Sequence, residues 1–229
     1  MNDRIDWSHW LERWDAQQEG YLPAREDRFN VMLDVLDALL PEDFLAVDLA
    51  SGPGSISGRI LARFPKATCI AVDLDPVLLT MGQGVLGDQD GRLRWVQADI
   101  QEKNWFDKIG VMQVDAVLTT TALHWLSVER LVQLYRQLGR VVRPGGVVLN
   151  GDHMPFPPHM ATFQRLTTKV QEIREMEAFQ TRGVEDWDGW WAALEEVAGL
   201  EDLFAERKRL FAWREEAWSH PILELQEAA

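Results

Sequence analysis

Leu45-Ala46-Val47-Asp48-Leu49-Ala50-Ser51-Gly52-Pro53-Gly54-Ser55 is an apolar run that ends in an acid, a small-residue turn and two glycines. The run is too short for a buried helix. It stands between Pro41 and a Gly/Pro/Ser cluster, the setting of a central parallel strand. Gly52 and Gly54 let a ligand approach the backbone without a Cβ in the way. Ser55 is expected to cap a helix whose apolar face is Ile56, Ile60, Leu61 and Phe64. Unpaired N–H groups at that helix start point back over the turn, which suits a nucleotide-like ligand.

A Gly-x-Gly turn alone says little, and the next strand adds weight to it. Ala67 to Leu74 is apolar until Asp73, which lies 73 − 54 = 19 residues after Gly54. A mononucleotide-binding unit places its ribose-binding acid roughly 20 residues on, where a carboxylate accepts both hydroxyl protons. The dinucleotide fingerprint asks for Gly or Ala at position 57; Ser57 stands there and Gly58 comes one residue late, which argues against NAD. Cys69, the one cysteine, sits inside this strand and reads as a small buried hydrophobe.

The formal net charge of −14 repels phosphate backbones, and no stretch interleaves Lys and Arg with aromatics, so no nucleic-acid partner is expected. No apolar run approaches the roughly 18 residues of a membrane span, and the first residues mix charges with tryptophans. The expectation is a cytoplasmic protein with no membrane partner and no metal. A length of 229 residues fits one α/β domain: cap helices over 1–40, a ligand-binding core over 41–152 and a helical lid or acceptor region over 153–229.

Trp7, Trp10, Leu11 and Trp14 form one aromatic helix face, and Phe29, Met32, Leu33, Leu36 and Leu40 an apolar face on a second helix. Asp75-Pro76 opens a helix through Val77, Leu78 and Met81 that Gly82, Gly84 and Gly87 weaken. Leu93 to Ala98 is a third strand ending in Asp99-Ile100, Val114 to Thr119 a fourth, and Val147 to Asn150 a fifth after the turn Arg143-Pro144-Gly145-Gly146. Strand and helix alternate, as in a parallel sheet joined by right-handed crossovers. Beyond Gly151 the pattern is helical: Phe163, Leu166, Val170 and Ile173 share one face, Trp187, Trp190, Trp191, Leu194 and Val197 another, and Ile222 to Ala229 reads as a last helix. The two tryptophan stripes read first as packing surface and are expected to meet over the cleft.

Together these motifs resemble the class I S-adenosylmethionine-dependent methyltransferases. Val47 to Gly54 is similar to the glycine-rich first motif, Asp73 to the ribose acid, Asp99-Ile100 to the adenine-contacting pair and Arg143 to Gly146 to the turn before strand five. Leu123-His124-Trp125-Leu126 with Tyr21 resembles the small-molecule, trans-aconitate methyltransferase-like branch. The resemblance implies a Rossmann-like parallel sheet in the order 3-2-1-4-5, and S-adenosylmethionine as cofactor with S-adenosylhomocysteine as product. A small-molecule methyl acceptor is implied, reached by in-line displacement. The cofactor-binding set it implies is Tyr21, Arg25, Arg28, Asp48, Ala50, Ser51, Gly52, Gly54, Asp73, Leu74, Asp99, Ile100, Thr119 and His124. Asp48 is expected to orient the glycine turn. Arg25 and Arg28 either clamp the cofactor carboxylate or form a solvated helix face. His124 and His153 are candidate bases or local hydrogen-bonding histidines, with Asp152 and His159 behind them.

Two departures from the family pattern stand out. Ala50 replaces the usual first glycine, which is tolerated if its φ stays negative. The family's C-terminal β-hairpin is missing, so either the chain is truncated or the sheet edge is finished otherwise, and an exposed edge invites an oligomer. The alternative to an enzyme is a non-catalytic, nucleotide-binding regulatory protein completed by a partner.

Overall fold

A computed structural model describes residues 5–22, 24–152 and 156–216. His153 and the helix expected over 222–229 lie outside the described residues. Two helices, α1 (Trp7–Tyr21) and α2 (Arg25–Leu39), precede the alternation β1 (Leu45–Leu49), α3 (Ser55–Arg63), β2 (Thr68–Asp73), α4 (Pro76–Leu86), β3 (Leu93–Gln97), β4 (Val114–Thr119), α5 (Val128–Val141) and β5 (Val142–Asn150). Helices α6 (Ala161–Glu175), α7 (Trp187–Glu195) and α8 (Glu201–Glu216) follow. The five strands form one parallel sheet in the order β3-β2-β1-β4-β5, with β1 between β2 and β4. Among the described residues no strand follows β5, which forms one edge of the sheet.

Alternate residues of the central strands serve opposite layers, as the pleat requires. Ala46, Ala71, Ala116 and Leu118 face Phe29, Leu36, Ile56 and Ile60 of α2 and α3. Val47, Leu49, Ile70, Val72 and Val117 face Leu134 and Leu138 of α5 and the turn that carries Trp105 and Ile109. A third cluster lies outside the sheet, where Trp10 and Trp14 of α1 meet Trp190, Trp191 and Leu194 of α7 over Val77, Leu78 and Met81 of α4.

One local reading changes. The turn Arg143 to Gly146 lies inside β5, because Val142 already pairs with Val114 and pairing resumes with Val147 opposite Ala116. Pro144 has no N–H to give the ladder and Gly145 has φ +79°, so these residues loop out while Arg143 pairs with Asp115. Of the glycines expected to weaken α4, Gly87, with φ +63°, caps its C-terminus, and Gly82 and Gly84 lie inside it. Aromatic rings press on both Gly82 and Gly84, and a Cβ at Gly84 would sit 2.2 Å from Trp7 Cδ1. These are close-approach positions that no larger residue fills without moving a ring. Among the described residues no helix is long and apolar enough to cross a membrane.

Candidate active site

The strand ends and the flanking helices enclose a cavity of about 650 Å³, a size ordinary for a cofactor or drug-sized ligand. Its floor is the carboxyl edge of the sheet, where parallel α/β folds place their ligands. The wall that continues from β1 is Ala50, Ser51, Gly52 and Pro53, followed by Ser55 and Ile56 at the start of α3. Gly54, with φ +81°, is the residue that caps α3, and it has no side chain with which to bond that helix end. Ser55 is therefore the first helical residue and not the expected cap. Its hydroxyl accepts from Arg25 Nη2 at 2.8 Å. A Cβ at Gly54 would lie 2.6 Å from the Trp95 ring, so the position combines a left-handed backbone with a tight contact.

Ala50 overturns the expectation of negative φ: its φ is +56°. A left-handed alanine costs about 1–2 kcal/mol relative to an ordinary conformation. Such strain is typical of backbone held by its surroundings at a ligand site, and the hydrogen bonds of the next two residues show what holds it. Ser51 N–H donates to Val72 O at 3.0 Å and Gly52 N–H to Asp73 Oδ2 at 2.7 Å.

Asp73 organises the neighbouring strand end. While one carboxylate oxygen takes Gly52 N–H, the other takes Asp75 N–H at 2.8 Å. A carboxylate has about four lone-pair sites, so two main-chain bonds leave capacity for two ligand hydroxyls. Burial pushes its pKa up to about 6, against these bonds. Asp48 is fully buried beneath the turn and is also pushed up to about 6 by burial. Its Oδ2 accepts from Ser57 N–H at 2.9 Å and Ser57 Oγ at 2.7 Å, so it fixes the first turn of α3 and not the glycine turn itself. Cys69, whose thiol burial pushes up to about 12, donates to Ser57 Oγ at 3.4 Å behind it and is inert packing.

Of the other candidates, Tyr21, Arg25, Leu74, Asp99, Ile100 and His124 line the cavity. Arg25 is buried and held by Asp15 Oδ1 at 2.7 Å. Tyr21 Oη accepts the Trp187 N–H at 3.1 Å, and burial raises its pKa. Arg28 is not brought to the cavity: its guanidinium donates to Gly151 O at 2.8 Å. Thr119 also stays out. It is fully buried in the last position of β4, and Thr120, Thr121 and Ala122 take its place on the wall. His159 is exposed and lies outside the lining. Asp152, two residues beyond β5, has Oδ1 2.7 Å from His124 Nδ1, and its Oδ2 accepts the His124 N–H at 3.0 Å.

The cover joins both ends of the chain. Trp14, Trp187 and Trp191 line the cavity, and Trp14 packs against the rings of Trp187, Trp190 and Trp191 with centroids 5.5, 5.0 and 6.4 Å away. Trp190 is fully buried, so one stripe supplies both core and wall. Arg207 of α8 was not legible as a site residue. It lies 3.6 Å above the Trp191 ring, and its Nε donates to Asp75 Oδ2 at 2.7 Å while Asp75 Oδ1 caps α4. The N-cap signature of Asp75-Pro76 disclosed only half of that carboxylate's work.

Residues 46–146 match the family model described as a methyltransferase domain. The chain is 31% identical to a trans-aconitate 2-methyltransferase of Azoarcus sp. (strain BH72) over 140 residues, covering 60% of this chain and 50% of that one. It is 32% identical to a malonyl-[acyl-carrier protein] O-methyltransferase of Methylococcus capsulatus (strain ATCC 33009 / NCIMB 11132 / Bath), covering 56% and 44%. The chain spans about half the length of the curated relatives it matches. Among solved structures, an amino pentose methyltransferase from Micromonospora echinaspora with S-adenosylmethionine bound superimposes with a TM-score of 0.50 at 21% identity, covering 64% of this chain and 57% of that one. That likeness concerns the fold alone.

Proposed function

We propose that this chain, which carries the core of a class I S-adenosylmethionine-dependent methyltransferase, binds S-adenosylmethionine along the strand ends and transfers its methyl group to a small-molecule acceptor. One observation carries this reading: Asp73, Asp99 and the Ala50 to Pro53 turn, drawn from three separate strand ends, converge on one cavity. The residues present fit the cofactor. Asp73 has lone pairs to spare for ribose hydroxyls, and Leu74 and Ile100 offer apolar faces for a base beside the acceptor oxygens of Asp99. At the other end, the start of α3, beside the Asp15-paired Arg25, presents the positive end of a helix dipole for an amino-acid carboxylate.

Bound S-adenosylmethionine supplies an electrophilic methyl group on a sulfonium. What remains for the protein is to hold the acceptor in line and keep water out, a positioning effect that reaches ~7–11 kcal/mol. Trp14, Tyr21, Trp187 and Trp191 supply the water-excluding wall on the side of the cover.

Isothermal titration with S-adenosylhomocysteine tests the binding half of the reading. Transfer of labelled methyl from S-adenosylmethionine to a panel of small molecules tests the rest. Saturable heat with a one-to-one end point is expected. Absence of heat contradicts the cofactor assignment.

A further inference from the structure

The last residues of β4 and β5 lie side by side, Thr119 opposite Asn150, and Gly151 N–H extends the pairing by donating to Thr119 O at 2.9 Å. From this shared edge the two chains diverge. Leu123–Trp125 forms a short turn that brings His124 back towards Asp152. Asp152 then clamps one residue at two points, the His124 N–H through Oδ2 and the imidazole Nδ1 through Oδ1. Its side chain is 4% exposed, whereas the His124 ring is 20% exposed and lines the cavity.

A carboxylate on Nδ1 fixes the neutral imidazole as the Nδ1–H tautomer, so the ring's basic lone pair is on Nε2. The same buried negative charge offsets the positive charge the ring gains when it takes a proton. This pairing of roles is that of an oriented general base.

The charges of the cavity wall bear on what such a base serves. Its two arginines are each already engaged by a carboxylate, Arg25 by Asp15 and Arg207 by Asp75, both at 2.7 Å. Against them stand Asp73, Asp99 and Asp188 with the buried Asp48. A polycarboxylate acceptor enters such a wall against repulsion, and a carboxylate, ionised near neutral pH, needs no base to become a nucleophile.

We infer that His124, oriented by Asp152, takes the proton of a methyl acceptor whose nucleophilic atom is a hydroxyl oxygen or an amine nitrogen, not a carboxylate oxygen. The inference rests on the methyl-transfer reading above. As the acceptor's O–H or N–H bond breaks, its proton passes to Nε2 and its electron pair forms the bond to the methyl carbon. The carbon–sulfur pair stays on sulfur, giving the thioether S-adenosylhomocysteine, and the imidazolium then returns its proton to water. His124 is the catalytic residue and Asp152 a positioning residue.

Long-range ¹⁵N–¹H spectra of the full chain with S-adenosylhomocysteine, taken above neutral pH, test the arrangement whether or not an acceptor is in hand. His124 is expected as the Nδ1–H tautomer. Asp152→Asn is expected to move it towards Nε2–H, because the new amide can donate to Nδ1. An Nε2–H ring in the unsubstituted protein overturns the inference. In a labelled-methyl panel of amines, phenols, alcohols and trans-aconitate, transfer is expected to amines or hydroxyls and to fall about 10²–10⁴-fold in His124→Gln. Methylation of trans-aconitate that His124→Gln leaves unchanged also overturns it. Failure to bind S-adenosylhomocysteine at all sinks the methyl-transfer reading instead, so the two failures are distinguishable.

Discussion

The strand-end wall of the cavity and its helical cover are built by different means. In the wall, main-chain groups do the positioning: Ser51 N–H reaches Val72 O, and Gly52 and Asp75 N–H both reach the Asp73 carboxylate. All of these residues fall within one stretch of 25, counted from Ser51 to Asp75. In the cover, α1 and α7 come from opposite ends of the chain and are joined by ring packing. Their few polar ties include Arg13 to Glu185 and Tyr21 to the Trp187 N–H. The wall is thus organised before a ligand arrives, while the cover holds its place by apolar burial and is the part suited to move.

The largest effect expected from this difference is in the cover. Trp190→Ala removes a fully buried ring packed against Trp10, Trp14 and Trp191, and should cost about 3–5 kcal/mol in urea unfolding. If the cost is near zero, the cover is not cemented by packing. Next comes Asp73→Asn, which should retain the fold while weakening S-adenosylhomocysteine about tenfold by calorimetry, since charge-assisted bonds become neutral ones.

Acidity separates binding from stability at the same carboxylate. Burial raises Asp73 and Asp48 from 3.8 to about 6, so between these values the folded state binds more protons than the unfolded one. The cost of burying the two charges is therefore present above pH 6 and is relieved as the pH falls through it. On the proposed pose, in which ribose hydroxyls donate to ionised Asp73, cofactor affinity runs the other way. Affinity should fall as the pH drops through about 6, and Asp73→Asn should remove part of the slope. A slope unchanged by the substitution separates Asp73 from the ribose. The smallest effect expected is a gain: Ala50→Gly relieves a left-handed alanine and should raise stability in urea unfolding by about 1 kcal/mol or less, the relief of strain being partly offset by a more flexible unfolded chain.

The same division explains what was legible in the sequence. The parallel strands and the wall were, because strand periodicity, the glycine turn and the spacing of Asp73 are local signals, while the sheet order was implied by the family resemblance. Details that depend on a neighbour were not. The sign of φ at Ala50 is set by bonds to β2, and the turn at Arg143 lies within a strand because Asp115 reaches across to it. Arg28 faces Gly151 and not the cavity, a choice made by how α2 packs on the sheet edge. The contact of His124 with Asp152 spans 28 residues but follows from β4 and β5 being adjacent, so the strand order together with two residues just past strand ends could have disclosed it. Arg207 had no such signal: a helix arginine becomes a wall residue only once α8 lies on α4.

Hydrogen exchange with and without S-adenosylhomocysteine tests most directly that one ligand is held between these two unlike walls. The account predicts added protection in residues 50–57 and 73–78 together with residues 10–21 and 187–194, while α5 is unchanged. Protection confined to the cover, with none at Gly52 or Asp73, would contradict it.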